Sequence, residues 1–106
     1  MLENLVYLAL RRQTQGIYYF TTLAGLEVDF YLPDTRQIIQ MAQEMNDPET
    51  RERELRAIFD SLKTLDLQEG LILSEASQDP VRQDNKTVVI RSIAEWLLEG
   101  NINPSD

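Results

Sequence analysis

The sequence predicts an α/β domain (α+β, with one mixed sheet), and three observations predict it. Two β-rich runs, Ile17–Thr22 and Glu27–Leu32, flank a turn at Gly25 and are followed by a third, Gln37–Ala42, giving an antiparallel meander. An amphipathic helix starting near Asp47 and ending near Leu65 then precedes a fourth run, Gly70–Ser74. A strand–helix–strand unit of this kind is a crossover, so the fourth strand should lie parallel to one of the earlier three. Finally, Thr87–Ile90 reads as a fifth strand, and Ser92-Ile93-Ala94-Glu95 as a capping box that opens a short closing helix. The expected order is α-β-β-β-α-β followed by a peripheral strand and a short helix.

The first element, Leu2–Leu10, has helical spacing with Leu2, Leu5, Val6, Ala9 and Leu10 on its expected buried side. Glu3 and Tyr7 share another face, which Arg11 extends. Gly16 ends the segment. In Glu27–Leu32 strict alternation puts Val28, Phe30 and Leu32 on one face and Glu27, Asp29 and Tyr31 on the other. Pro33-Asp34-Thr35 is a turn, after which Ile39 and Met41 share one face and Ile38, Gln40 and Ala42 the opposite one. Asn46 or Asp47 can cap the long helix, and Pro48 suits its first position. Leu55, Ile58, Phe59, Leu62 and Leu65 form its apolar stripe, while Arg51, Glu52, Arg53, Glu54 and Arg56 read as a solvated face. Gln78–Asn85 reads as a polar loop, Trp96 and Leu97 as anchors of the last helix, Gly100 as its stop, and 101–106 as a tail.

Length and composition bound what the chain can do. Its 106 residues make one domain, and 42% apolar with 26% charged residues is the balance of a globular protein. It has no cysteine and no histidine, which removes thiolate and imidazole chemistry and leaves only hard, oxygen-bound cations as metals. The net charge of −8 makes it a poor stand-alone nucleic-acid binder, because phosphate contacts draw on lysine and arginine. No apolar run reaches membrane-spanning length, so the expected location is the cytoplasm, with no membrane contact.

Asp29 is the residue that stands out. A carboxylate centred in an apolar strand needs a partner, a metal or a raised pKa. With Glu3 on the first helix and Asp29 on the second strand, the element order resembles the restriction-endonuclease-like, PD-(D/E)XK nuclease core. That resemblance implies a glutamate on the first helix, an aspartate on the second strand and a Glu-x-Lys on the third, holding magnesium and positioning the attacking water. Here the third-strand triplet is Gln40-Met41-Ala42, with glutamine for the acid and alanine for the lysine. Glu3, Asp29, Gln40 and Ala42 are therefore vestigial catalytic positions, and Glu3, Asp29 and Gln40 would hold magnesium or manganese weakly.

Further landmarks are Leu2-Glu3-Asn4-Leu5-Val6, Glu27-Val28-Asp29-Phe30, Ile39-Gln40, Asp47-Pro48-Glu49-Thr50-Arg51-Glu52-Arg53-Glu54, Glu69-Gly70-Leu71-Ile72 and Trp96-Leu97-Leu98. Together they resemble the C-terminal nuclease-like domain, of uncharacterised function, of a prokaryotic AAA-type (P-loop) ATPase family. The resemblance implies a single domain over 1–100 that is the C-terminal piece of a larger ATPase, whose ATP site lies in upstream domains. No Gly-x-x-x-x-Gly-Lys run occurs in this chain. The expected role is a catalytically degenerate accessory domain acting in contact or regulation, through those upstream ATPase domains or a homo-oligomer. One alternative is a metal-dependent DNA nuclease with a relocated residue, Glu44 or Lys63. The other is non-catalytic nucleic-acid binding through Arg11, Arg12 and Lys63.

Overall fold

The computed structural model describes residues 2–102, and side chains from Glu3 to Glu99. Helix α1 (Leu2–Arg11) precedes strands β1 (Tyr18–Thr21), β2 (Glu27–Leu32) and β3 (Gln37–Met41). Helix α2 (Pro48–Leu65) follows, then β4 (Glu69–Ser74), β5 (Gln78–Gln83), β6 (Lys86–Ser92) and α3 (Ile93–Ile102). The six strands form one mixed sheet in the order β1-β2-β3-β4-β6-β5. β1, β2 and β3 are the antiparallel meander, and β4 lies parallel to both β3 and β6. The fourth strand is therefore parallel to an earlier one, as expected, and that strand is β3.

Two apolar clusters hold the helices on opposite faces of the sheet. Ile58, Phe59 and Leu62 of α2 pack with Val28, Ile38, Ile72, Val88 and Ile90. On the other face Val6 and Leu10 of α1 and Ile93 of α3 pack with Phe30, Leu32, Ile39 and Leu73. Gly70 lies directly beneath Ile58: a methyl group added there would stand 2.9 Å from its Cδ1 and 3.1 Å from its Cγ1. Absence of a side chain at Gly70 is what lets α2 settle onto the sheet.

The local signals for α2 are realised in full. Asp47 caps it, its Oδ2 accepting from the Thr50 N–H at 2.9 Å and the Thr50 hydroxyl at 2.8 Å. Pro48 begins it, and Asp66, at φ 58°, closes it. The box at α3 forms only by half. Ser92 Oγ accepts from the Glu95 N–H at 3.3 Å, but the Ser92 N–H donates to Ser77 Oγ at 3.0 Å. The Ser77 hydroxyl in turn donates to Glu95 Oε1 at 3.4 Å, so a serine from before β5 is inserted between the two ends of the box.

Several expectations are corrected. Gln78–Asn85 is mainly strand β5, paired antiparallel with β6, not a loop. Asp84 and Asn85, both at positive φ (53° and 66°), form its two-residue hairpin turn. Pro80 is tolerated because β5 is an edge strand with an irregular register between Gln78 and Val81. Pro33–Thr35 closes as a short 3-10 turn. Leu5 is exposed, because α1 settles on Val6 and Leu10, and the side chain of Leu2 lies outside the described residues. Helix α3 continues through Gly100 to Ile102, so Gly100 does not end it; of the expected tail, 103–106 lie outside the described residues. Trp96 and Leu97 pack against the α1–α3 cluster, as expected of anchors.

Candidate functional site

The alternation expected of β2 fails at Asp29, and that failure builds the site. Tyr18 pairs with Tyr31 but Phe20 with Val28, so two steps along β1 are matched by three along β2. Asp29 and Phe30 together stand opposite Tyr19, which is a β-bulge. Val28 consequently packs with α2, while Phe30 and Leu32 pack under α1 and α3. Tyr31 faces the α2 cluster and meets Phe20 with ring centroids 5.9 Å apart.

On the other side of the bulge the β2–β3 ladder stops at Phe30–Ile39, and side chains take over. The Asp29 N–H donates to Gln40 Oε1 at 2.9 Å, and the Met41 N–H donates to Asp29 Oδ2 at 3.0 Å. Gln40 Nε2 donates to the Glu27 carbonyl at 3.3 Å and to Glu54 Oε1 of α2 at 2.5 Å. Gln40 is thus a buried latch: it replaces the missing backbone pairing and ties β2 and β3 to α2. No buried side-chain polar atom among the described residues is left without a partner.

Asp29 is half-buried, and its carboxyl is held above the ordinary aspartate range. Desolvation is the main cause; the Met41 N–H opposes it, while the charges of Glu3, Glu54 and Glu27 add to it. Glu3 of α1 is therefore close enough to act on Asp29, which sequence spacing alone does not show. Glu3 itself borders a hollow of about 330 Å³ with Asn4, Tyr7 and Phe30. Nearby, Glu27 accepts from the exposed Tyr19 hydroxyl and raises its pKa. Ala42 occupies the position expected of a lysine, but it is buried in the α2 cluster, its N–H donating to the Leu73 carbonyl at 2.9 Å.

Two of the oxygens that would hold a divalent cation are already engaged. Gln40 Oε1 and Asp29 Oδ2 already accept from backbone N–H groups. Among the described residues no three acidic side chains converge into a metal-binding group. Glu3 and Glu54, whose charges act on Asp29, are the other carboxylates of this corner.

The raised Asp29 pKa gives a signed prediction. A carboxyl whose folded-state pKa lies above its unfolded value binds a proton on folding. Its contribution to stability is complete below that unfolded value and declines as pH rises through the folded one. Asp29→Asn retains an oxygen for the Met41 N–H and removes the charge. In urea titrations from acid to neutral pH, the difference between wild type and variant should shift steadily in favour of the variant. A difference that stays flat, or moves toward wild type, overturns the assignment.

The other sequence candidates do not join this corner. Lys63 lies on α2, on the opposite sheet face from α1, which ends at Arg11 with Arg12 just after it, so the three do not form one basic patch. Glu44 is exposed in the connection after β3. Lys63 instead borders a groove of about 890 Å³ between α2 and the β5–β6 hairpin. Arg51, Arg56 and Lys86 alternate there with Glu52, Asp60 and Asp84, above Leu55 and Phe59. Reading β5 as a loop hid this groove, and the Asp84-Asn85 turn between two strand-like runs is the signal that could have exposed it.

No family model, curated protein or solved structure matches the chain. No helix among the described residues is long and apolar enough to cross a membrane.

Proposed function

We propose that this chain is a catalytically degenerate domain of restriction-endonuclease-like fold, acting by protein contact or regulation within a prokaryotic AAA-type ATPase. The observation that carries the reading is Gln40. At the third-strand position where a nuclease needs an acid, this side chain is spent on the Asp29 N–H, the Glu27 carbonyl and Glu54. The lysine position is an alanine inside the core. Support for the fold comes from the three-strand meander, the β3–α2–β4 crossover and helices on both faces. The ATPase association rests on sequence resemblance.

A second reading, a nuclease with a relocated acid, has one observation in its favour. Glu54 reaches the same corner from α2, and its charge acts on Asp29. The main charges acting on Asp29 are nevertheless negative, those of Glu3, Glu54 and Glu27, and Arg53 pairs with Glu54 at 3.5 Å.

Calorimetric titration with manganese, on the wild type and Asp29→Ala, separates the two when paired with a DNA-cleavage assay. The degenerate domain should show only weak binding, the same in both proteins, and no cleavage. Stoichiometric binding lost in Asp29→Ala, together with metal-dependent cutting, would establish the nuclease instead.

A further inference from the structure

Beside Asp29, the α1 face of the sheet carries an aromatic hollow. Phe30 forms one wall, and Glu3, Asn4 and Tyr7 of α1 form the others. Phe20 meets Tyr31 on the α2 side of the sheet, so strand alternation sends Tyr19 to the α1 side, opposite Asp29 and Phe30 at the bulge. Tyr7 and Tyr19 are both exposed.

The charges around the hollow are negative. Asp29 Oδ2 accepts from the Met41 N–H, and its other oxygen accepts no hydrogen bond among the described residues. No buried side-chain oxygen among those residues lacks a partner, so that second oxygen is open to solvent. Glu3, whose charge acts on Asp29, makes no ion pair among the described residues. Glu27 accepts from the Tyr19 hydroxyl. Of the nearby cations, Arg53 pairs with Glu54 at 3.5 Å, and Arg11, one turn beyond Tyr7, donates to the Gln15 carbonyl at 3.1 Å.

We infer that this hollow is a docking site for an arginine side chain carried on an exposed segment of a partner protein. Charge selects the occupant. Glu3 and Asp29 offer carboxylate oxygens that no cation of this chain covers, on a body whose net charge of −8 draws cations toward it. Size and lining select an organic cation, since about 330 Å³ has room for roughly ten waters and Tyr7 and Phe30 are aromatic. A guanidinium stacks on aromatic rings and bonds a carboxylate through two N–H groups, and its apolar stem can lie along the same rings. The exposed Tyr19 selects a protein as the source, because residues flanking the arginine can cover it, whereas a small free cation would leave it in water. The inference rests on the reading of this corner as a contact site and names the group that the contact takes.

An NMR titration of the 106-residue chain with the blocked tripeptide acetyl-Gly-Arg-Gly-amide tests it, with the citrulline tripeptide as the neutral isostere. The arginine peptide should bind saturably in the millimolar range, with shifts centred on Tyr7, Asp29 and Phe30, and the citrulline peptide should not. Asp29→Asn should bind about tenfold more weakly and Tyr7→Ala about fivefold. Asp79→Asn, which removes the same charge from the opposite edge of the sheet, should bind as wild type does. Should either site variant fail to fold, Glu3→Gln at an exposed position decides in its place and should also weaken binding about fivefold. Equal binding of the citrulline peptide overturns the proposal, as does undiminished binding in the site variants or an equal loss in Asp79→Asn. Methylguanidinium binding as tightly as the peptide overturns it too, by making the occupant a free small cation. Manganese-dependent cutting, which would overturn the contact reading, is scored separately on the same proteins, so the two failures are told apart.

Discussion

Gln40→Ala should destabilise the fold by about 2–4 kcal/mol, because it strands the Asp29 N–H and the Glu27 carbonyl, each costing about 1–3 kcal/mol when left unpaired. The latch has no substitute nearby, since the β2–β3 backbone ladder has already ended at Phe30–Ile39. Urea unfolding measures the loss. Gln40→Glu sharpens the test, because it restores the acid that the nuclease resemblance calls for. That carboxylate would replace the Nε2 donor, 2.5 Å from Glu54 Oε1 and facing the Glu27 carbonyl. Two carboxylates so close cannot both ionise, so the pair should hold a proton in the folded state. A folded-state pKa raised in this way gives stability at low pH that is lost as pH rises. Gln40→Glu should therefore be markedly less stable at mildly alkaline than at mildly acidic pH. A variant as stable as wild type in both would mean that Gln40 is not a latch, and the proposed loss of function at that position would lose its main support.

The second large effect concerns Ile58 and Gly70. Ile58→Ala should cost about 2–5 kcal/mol, since Ile58 is fully buried at the centre of the α2 cluster and its removal leaves a cavity over the sheet. Gly70→Ala alone should also destabilise, by about 1–2 kcal/mol, because its methyl would stand 2.9 Å from Ile58 Cδ1 and overpack the contact. In the Ile58→Ala background the same methyl enters the cavity, and the sign should reverse: the double variant should be more stable than Ile58→Ala. Denaturant unfolding of the four proteins gives the coupling directly. Simple additivity would show that α2 does not rest on Gly70 in the way the geometry requires.

These two predictions fall on different sides of what the sequence conveys. The α2 stripe of Ile58, Phe59 and Leu62, the Asp47 cap and the β3–α2–β4 crossover are local or nearly local signals. A 3.6-residue repeat, a capping side chain three residues from its donor and a helix between two strands express themselves within one segment, so the chain itself determines them. The same holds for the alternation in β3, which places Ile38 and Gln40 toward α2 and Ile39 toward α1.

Other features depend on partners far along the chain. The bulge at Asp29 is a mismatch between β1 and β2 counts, set by where Tyr18 and Phe20 pair, and no periodicity inside β2 announces it. The same bulge turns Asp29 from an alternating surface residue into a half-buried carboxyl with a raised pKa. Which face of α1 is buried was likewise decided by docking, which took Val6 and Leu10 and left Leu5 in solvent. β5 is strand only because β6 offers it an edge, where a proline and charges cost little. The sequence by itself thus determined the helices, the meander and the identity of the odd residues, Asp29 and Gln40. Only the tertiary structure decided that those two bond to each other's strand, because cross-strand hydrogen bonds are fixed by register, and register is a property of the assembled sheet.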